Sequence, residues 1–501
     1  MGEFVKRKSR SFMGHAATYA VGNVARRLVG FVMLPIYTRF LTPADYGVIG
    51  LMMFALALFE PLFGARLGVA IPKFYFEEDD RRAKRAVIWG AIGLTGVVSA
   101  AGMVLLILLR GMGSEIIFGD RRYALALGIF AINLLSRPLE DTGMLYLRMH
   151  EQSRLFFGIS MAKLMVQLGL NILLVVYWRQ GVVGVVLSGV ISSFALGAAL
   201  TVYIGAREAP GWDWNITRKM LRFCWPLWLS ALAGLYVGSA GGMYLRIFGT
   251  LSDVGKLELA LRFAAVIGML IWTPFGQQWG PLSYRYFKEP DGARKFQVAF
   301  IGIGTAMFVG GLGVSIFAGP AIRIMATKPF YVAASVVPVL TLGFIINYLQ
   351  GFFTFAFLAT NHTKMSSVCQ YLTAAVITVA YFALVPRYGL MGAASAQCIA
   401  FVASFFYTWA LSRQYYDPGF HLGTIGVFAL ISGLAYLCAN VLLPAEAMRV
   451  DLLAKSVIWA LAGGSIMVLG VRKMQQIDAS LSAKLPWPFD QLGRLPIWRG
   501  S

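Results

Sequence analysis

The sequence predicts an all-α membrane protein with about fourteen transmembrane helices, and three observations support this class. Of its 501 residues, 58% are hydrophobic and 13% are charged, and the mean hydropathy is +0.68, whereas a soluble protein of this length needs a larger polar surface. Apolar runs of about 20 residues recur along the chain, and each can cross a bilayer core of roughly 30 Å. The ~10-residue alternating segments that are typical of a transmembrane β-barrel do not occur in the sequence.

The apolar runs predict fourteen spans joined by loops too short to hold a soluble domain. In chain order the spans are 14–40, 46–71, 86–109, 123–147, 155–177, 182–205, 223–247, 257–282, 297–322, 331–358, 367–385, 390–411, 420–443 and 452–471. The basic N-terminus is followed by a run that is too long for a signal peptide and contains Arg26 and Arg27. We therefore interpret this run as an uncleaved first span.

The distribution of lysine and arginine predicts that both termini are cytoplasmic. Basic clusters such as KRKSR at 6–10, RRAKR at 81–85 and TRKMLR at 217–222 fall in segments on one side of the predicted spans. This asymmetry follows the positive-inside rule. Because the basic residues are spread over short loops and tails, the net charge of +21 does not indicate nucleic-acid binding.

Neither cysteine nor histidine forms a cluster that indicates a metal or catalytic site. The four cysteines lie in or beside predicted spans and none belongs to a Cys-x-x-Cys pair, so we expect buried thiols rather than disulfides or metal ligands. The four histidines are scattered as well. The sequence thus predicts no cofactor and no enzyme activity.

Two short motifs recur with one offset. Asp45 and Gly47 in FLTPADYGVIGL match Asp253 and Gly255 in GTLSDVGKLEL, 208 residues later. The same offset relates two turns: Gly181 and Gly184 in RQGVVGVVLS match Gly389 and Gly392 in RYGLMGAASA. Two independent motifs that share an offset indicate an internal repeat.

The repeat predicts two homologous lobes of six helices each. The predicted organisation is a cytoplasmic N-terminus at 1–13, a first lobe at 14–205, a linker at 206–221, a second lobe at 222–411, two further spans within 412–471 and a cytoplasmic tail at 472–501. Because six is even, both lobes have the same topology, and we expect a pseudo-two-fold axis along the membrane normal. Two such lobes suit transport by alternating access.

Several charged residues fall inside predicted spans, although a charge at a helix centre costs ~2.5–3.5 kcal/mol. They are Arg26, Arg27, Glu60, Arg66, Arg137, Glu140, Asp141, Lys163 and Arg262. Arg26 and Arg27 lie roughly 18–20 Å from the cytoplasmic face at ~1.5 Å per residue. Arg66 and Arg262 lie near span ends, from which a long side chain can extend to the membrane surface.

The surplus of positive charge favours an anionic ligand, because a guanidinium group binds phosphate through two hydrogen bonds. The candidate ligands of an anionic headgroup in a central cavity are Arg26, Arg27, Arg137, Lys163 and Arg262. Two alternatives stay open: an arginine of span 1 can pair with a buried acid, and Arg137 can form a local ion pair with Glu140 or Asp141 at i+3 or i+4.

Aromatic and small residues abound in spans 7 and 8. Near the inner end of span 8, Gln277, Gln278 and Trp279 could contact sugar. An aromatic belt at the membrane interface is the favoured alternative.

Three stretches resemble a known family. LPIYTRFLTPADYGVIGL at the end of the first span, its weaker echo LRIFGTLSDVGKLELA and the turn YGLMGAASA are similar to the polysaccharide-biosynthesis flippases of the MOP (multidrug/oligosaccharidyl-lipid/polysaccharide) exporter superfamily. The resemblance implies the MATE-like fold and translocation of undecaprenyl-pyrophosphate-linked oligosaccharide across the bacterial inner membrane. It also implies a cationic cavity and coupling to a proton or sodium gradient, for which Glu60, Glu140 and Asp141 are the candidates here.

Three other functions are weighed against this one. A lipid II flippase shares the span number and the cationic cavity, whereas a multidrug cation antiporter should have an acidic cavity. A membrane polymerase or ligase usually has a large catalytic outer loop, and no loop here is long enough. For the flippase we expect membrane lipids, a polysaccharide polymerase and a chain-length regulator as partners, and a monomeric state.

Overall fold

The computed structural model describes residues 33–63, 67–442 and 448–478. Every element in these ranges is a helix, and nine of the described helices are long and apolar enough to cross a membrane. The predicted class, an all-α polytopic membrane protein, is confirmed. Contacts within the chain divide it into two compact units, one up to Glu258 and one from Leu259 onward.

The first unit is built from eleven described helices and the beginning of a twelfth. They are α1 (Leu34–Phe40), α2 (Pro43–Phe63), α3 (Ile71–Glu77), α4 (Arg81–Leu108), α5 (Arg110–Phe118), α6 (Ala124–Ala131), α7 (Asn133–Met149), α8 (Ser153–Asn171), α9 (Gly181–Arg207), α10 (Trp214–Ser239), α11 (Gly241–Phe248) and α12 (Leu251–Ala264). A π-helical turn at Ile172–Tyr177 extends α8.

The second unit contains the end of α12 and seven further helices. They are α13 (Thr273–Phe287), α14 (Gly292–Met325), α15 (Ala333–Leu349), α16 (Gly351–Ala359), α17 (Thr363–Ser412), α18 (Leu422–Leu437) and α19 (Met448–Ile477). A π-helical turn at Gly268–Trp272 leads into α13, and another at Cys438–Leu442 follows α18.

Predicted spans 2 to 14 fall largely on described helices, whereas α3 and α5 lie between predicted spans and most of span 1 lies outside the described residues. The 50-residue α17 covers two spans, because Gly389 at φ 50° and ψ −123° turns the chain inside it. Gly181, its partner in the repeat, has a φ of 55°. The count of fourteen spans and the two six-helix lobes remain predictions.

The first repeated motif forms the same local structure twice. The hydroxyl of Thr42 donates to Asp45 Oδ2 at 2.7 Å and accepts from the Asp45 backbone N–H at 3.2 Å, and Thr250 and Asp253 make the same two bonds at the same distances. These reciprocal bonds cap the starts of α2 and α12. Burial alone would raise the pKa of Asp253, but the bonds from Thr250 and Lys256 outweigh it and hold the pKa below its ordinary value.

The two motifs also pack on each other at the starts of α2 and α12. A Cβ on Gly47 would lie 2.2 Å from the carbonyl oxygen of Leu251, and a Cβ on Gly255 would lie 1.8 Å from that of Pro43. Leu251 follows Pro43 by the repeat offset, so the contact is reciprocal. Only glycine permits this approach, in which van der Waals contact between backbones replaces side-chain packing.

Close helix contacts also fix α7 within the first unit. A Cβ on Gly197 of α9 would lie 3.0 Å from the Ser136 carbonyl oxygen of α7, and a Cβ on Gly143 of α7 would lie 2.5 Å from the Leu200 Cβ of α9. Apolar burial gains little between helices in lipid, so such tight contacts carry more of the packing energy than in a soluble protein. They hold one face of α7 against α9 and leave another face for the site described below.

Phenylalanine rings fill the core of the second unit. Phe300 and Phe352 meet edge to face with centroids 5.4 Å apart, and Phe353 meets Phe405 at 4.9 Å. These distances and angles are the favourable ones for aromatic pairs, each of which contributes roughly 0.5–1.5 kcal/mol beyond the area that it buries.

Candidate functional site

A cavity of about 450 Å³ lies inside the first unit, between the end of α2, the start of α3 and the helices α4 and α7. Its polar lining within the described residues consists of Glu60, Thr95, Asp141, Thr142 and Arg148. Leucine, valine and proline side chains form most of the remaining wall. Two carboxylates and one guanidinium group therefore lie in a cavity that is otherwise lined by two threonines and by apolar side chains.

The spacing of residues along α7 explains why this helix supplies much of the lining. Pro138, Asp141, Leu145 and Arg148 follow one another at intervals of three and four, which places them on one helix face. Helix α9 packs on a different face of α7, so the face that carries these four residues remains available to line the cavity.

Beside the cavity, α7 carries a buried ion pair. Lys163 Nζ of α8 lies 2.5 Å from Glu140 Oε2 and donates to Ser193 Oγ of α9 at 3.0 Å. The side chains of Lys163 and Glu140 are 17% and 8% exposed. A pair this deeply buried is strongly coupled, because removal of either charge leaves the other without compensation. It joins three neighbouring helices at one point.

The local ion pair between Arg137 and Glu140 is not formed, because Glu140 pairs with Lys163 on the neighbouring helix instead. Arg137 Nη2 lies 3.6 Å from Met53 Sδ, a weak contact that joins α7 to α2. Spacing along one helix could not reveal this, since the choice depends on how α8 packs against α7.

The other predicted site residues are placed as follows. Glu60 and Asp141 line the same cavity. Arg262 is half-buried on α12, in the second unit. Arg26 and Arg27 lie outside the described residues, and so does Arg66, so the predicted surplus of positive charge in the cavity stays a prediction.

Sequence reasoning missed three polar lining residues, Arg148, Thr95 and Thr142. Arg148 was detectable, because it follows Asp141 by seven residues and so lies on the same face of the same helix. Thr95 gave no such signal, since a lone threonine in the apolar α4 is typical of helix packing.

The described helices and the charged cavity between them define a polytopic α-helical membrane protein. A family model described as "Polysaccharide biosynthesis protein" matches residues 14–287, which is more than half of the chain. The chain therefore belongs to this family, and the resemblance inferred from the sequence is confirmed.

Solved structures of the MOP superfamily have the same fold. A lipid II flippase, MurJ, in an inward closed conformation is 13% identical, with a TM-score of 0.75 over 91% of this chain and 99% of that one. An inward-facing multidrug resistance MATE family transporter of the MOP superfamily is 13% identical, with a TM-score of 0.64 over 81% of this chain and 96% of that one. The MATE multidrug transporter DinF-BH is 15% identical, with a TM-score of 0.58 over 81% and 95%.

No curated protein matches the chain significantly. At the identities of the solved structures, the similarity establishes the MATE-like fold, and it leaves the transported substrate to be inferred from the site.

Proposed function

We propose that the protein is a flippase that moves undecaprenyl-pyrophosphate-linked oligosaccharide repeat units across the bacterial inner membrane by alternating access. These units would serve O-antigen, capsule or exopolysaccharide synthesis. The observation that carries the proposal is a charged cavity between the helices of a MOP fold, in a chain of the polysaccharide biosynthesis family. As with other transporters, no bond of the substrate is made or broken.

A pyrophosphate group cannot cross hydrocarbon unaided, because an unpaired charge in a medium of low dielectric constant is strongly disfavoured. The cavity of the first unit offers this group one guanidinium, that of Arg148, and Arg137 precedes the lining residue Pro138 on the same helix. In this proposal Arg26 and Arg27 complete the set of cations that bind the headgroup.

The carboxylates supply a candidate site for a coupling ion. Glu60 and Asp141 share the cavity, and Glu140 lies beside it in contact with Lys163. A proton or sodium ion bound at Glu60 or Asp141 removes negative charge from the space that the pyrophosphate enters. Ion binding and substrate binding are thereby linked electrostatically.

The test is made in a strain from which the gene is deleted, complemented at matched expression. We expect linked oligosaccharide to accumulate on the cytoplasmic side of the deletion strain, the wild-type gene to clear it, and Arg26→Ala, Arg27→Ala and Arg148→Ala to clear it poorly. Arg154→Ala is the control, since Arg154 is exposed near the start of α8 and does not line the cavity. Normal surface polysaccharide without an accumulated lipid intermediate, in a strain with no second flippase, would contradict the proposal.

A lipid II flippase is the second candidate, and the extended similarity to such a protein over 91% of this chain favours it. The same strain separates the two functions: accumulation of lipid II, with normal surface polysaccharide, supports the second. A multidrug cation antiporter stays a third candidate, because the described cavity holds two carboxylates and one guanidinium.

We further propose that the protein lies in the inner membrane with both termini in the cytoplasm. It acts as a monomer, with a polymerase and a chain-length regulator receiving its product on the outer side.

A further inference from the structure

The second unit contains a cavity of about 500 Å³ whose chemistry differs from that of the first. Helices α13, α15, α16 and α17 and the π-helical turn before α13 supply its walls. The lining residues are Trp272, Gly276, Trp279, Gly280, Ser283, Tyr284, Asn347, Gln350, Gly351, Thr354, Phe355, Leu358 and Gln370. In the described part of the chain no charged side chain lines it, although the volume is ample for a small-molecule ligand.

Two tryptophans of this lining are held by rings behind them. Trp272 stacks on Tyr348 with centroids 5.5 Å apart and planes at 24°, and Trp279 stacks on Phe275 at 5.6 Å and 14°. Rings fixed in this way lose little conformational entropy when a ligand packs on them. The C–H face of a pyranose ring is an apolar surface that suits such a platform.

Two amide side chains in the lining have no hydrogen-bond partner among the described residues. They are Asn347 and Gln370, and both are half-buried. Gln350 and Ser283 in the same lining are engaged: Gln350 Nε2 donates to Thr408 Oγ1 at 2.9 Å, and Ser283 Oγ donates to the carbonyl oxygen of Gly280 at 2.7 Å. An amide offers two donors and an acceptor, which matches sugar hydroxyl groups that both donate and accept.

An aromatic belt at the membrane interface would account for the tryptophans, but it would not account for partnerless amides inside the same cavity. Among the three residues that the sequence suggested for sugar contact, Trp279 lines the cavity, whereas Gln277 and Gln278 do not. The predicted orientation places the ends of α13 and α16 and the start of α17 on the cytoplasmic side of the membrane. The substrate would enter from this side.

We propose that this cavity binds the uncharged sugar residues of the lipid-linked oligosaccharide, with Trp272 and Trp279 as stacking platforms and Asn347 and Gln370 as hydrogen-bonding groups. The inference rests on the proposed function and adds a sugar site to it. The glycan is selected by this neutral cavity, which lies within the second unit.

The experiment measures binding of two lipids to the full chain in nanodiscs. The probes are undecaprenyl pyrophosphate and the glycan-bearing lipid extracted from the deletion strain. Wild-type protein should bind the glycan-bearing lipid more tightly. Asn347→Leu and Gln370→Leu should each reduce the affinity for the glycan-bearing lipid about fivefold, which is the usual effect of losing a neutral hydrogen bond. Neither substitution should change the affinity for undecaprenyl pyrophosphate.

Gly280→Leu is a second variant that does not remove a polar group. Gly280 lines the cavity, and a Cβ there meets nothing within 4 Å, so the added side chain begins in open space. It should abolish the preference for the glycan-bearing lipid. Gly426→Leu is its matched control, because Gly426 is exposed on α18, lies outside the cavity and is equally open.

The outcomes separate the two proposals. Equal wild-type affinity for both lipids, or a preference that survives all three variants, overturns the sugar site and leaves the flippase proposal standing. Failure of the wild-type protein to bind either lipid overturns the proposed function and the sugar site with it. A variant that keeps its affinity for undecaprenyl pyrophosphate is folded, so its loss of the glycan preference supports the site.

Discussion

Replacement of Gly255 by alanine is expected to separate the starts of α2 and α12. The new Cβ would lie 1.8 Å from the Pro43 carbonyl oxygen, and ordinary van der Waals contact begins at 3.4 Å, so the two backbones must move apart by about 1.6 Å. Overpacking of this kind typically costs about 1–3 kcal/mol. Against this, alanine in a helix is favoured over glycine by roughly 0.5–1 kcal/mol, so the steric cost prevails.

The contact lies at the ends of α2 and α12 that the predicted orientation places outside, so under the proposed alternating access we expect it to form in the arrangement that is closed on that side. A cost of about 1.4 kcal/mol to the closed arrangement alone shifts its population about tenfold. We expect Gly255→Ala to lower the midpoint of thermal unfolding in nanodiscs and to slow clearance of linked oligosaccharide.

Gly426→Ala is the control for helix propensity, since its Cβ meets nothing within 4 Å. It should leave the unfolding midpoint unchanged or raise it slightly. Gly47→Ala tests the other side of the contact, and because either substitution opens the same gap, the double variant should cost less than the sum of the two. If Gly255→Ala proves as stable and as active as Gly426→Ala, the reasoning from the close approach is refuted.

Three further predictions concern the first unit. Glu140→Gln should destabilise the protein by up to about 3–5 kcal/mol by leaving the Lys163 ammonium unpaired, whereas the double change Glu140→Gln with Lys163→Met should recover part of the loss, as thermal unfolding will show. An unchanged unfolding midpoint in the single variant would argue against the pair. Asp253→Ala should cost about 0.5–2 kcal/mol by removing the cap of α12, and a midpoint equal to that of wild type would mean that the cap is dispensable. Arg148→Ala should reduce the affinity for inorganic pyrophosphate, measured by calorimetry, and Arg154→Ala should not; equal binding by both variants would remove Arg148 from the headgroup site.

The sequence predicts the helices well because each span needs only a continuous apolar run, which is a local property. It also predicts the repeat, since Asp45 and Asp253 are capping residues at the same offset. The sequence analysis did not identify Thr42 and Thr250 as capping residues. These two threonines bond to Asp45 and Asp253 in the two caps, and they are related by the same repeat offset.

Contacts between helices were less predictable. Charge spacing on α7 suggested Arg137 as a partner of Glu140, and only the packing of α8 reveals Lys163. The neutral cavity of the second unit could not be predicted from the sequence for the same reason. Its residues Trp272, Asn347 and Gln370 come from elements far apart in the chain, and an amide without a hydrogen-bond partner is recognised only when all its neighbours are known.

The reciprocal contact of Gly47 and Gly255 has a consequence for the history of the chain. If the two halves arose by gene duplication, their ancestor was a single half that paired with an identical copy, and one glycine then served both sides of a symmetric interface. Fusion allowed the copies to diverge. At the next turn, Glu258 follows Gly50 by the same offset, and its side chain occupies the space beside that glycine, where a Cβ would lie 2.3 Å from Glu258 Cγ. A symmetric pair would have placed two glutamates or two glycines there, so this fit could evolve only after the two copies had diverged in sequence.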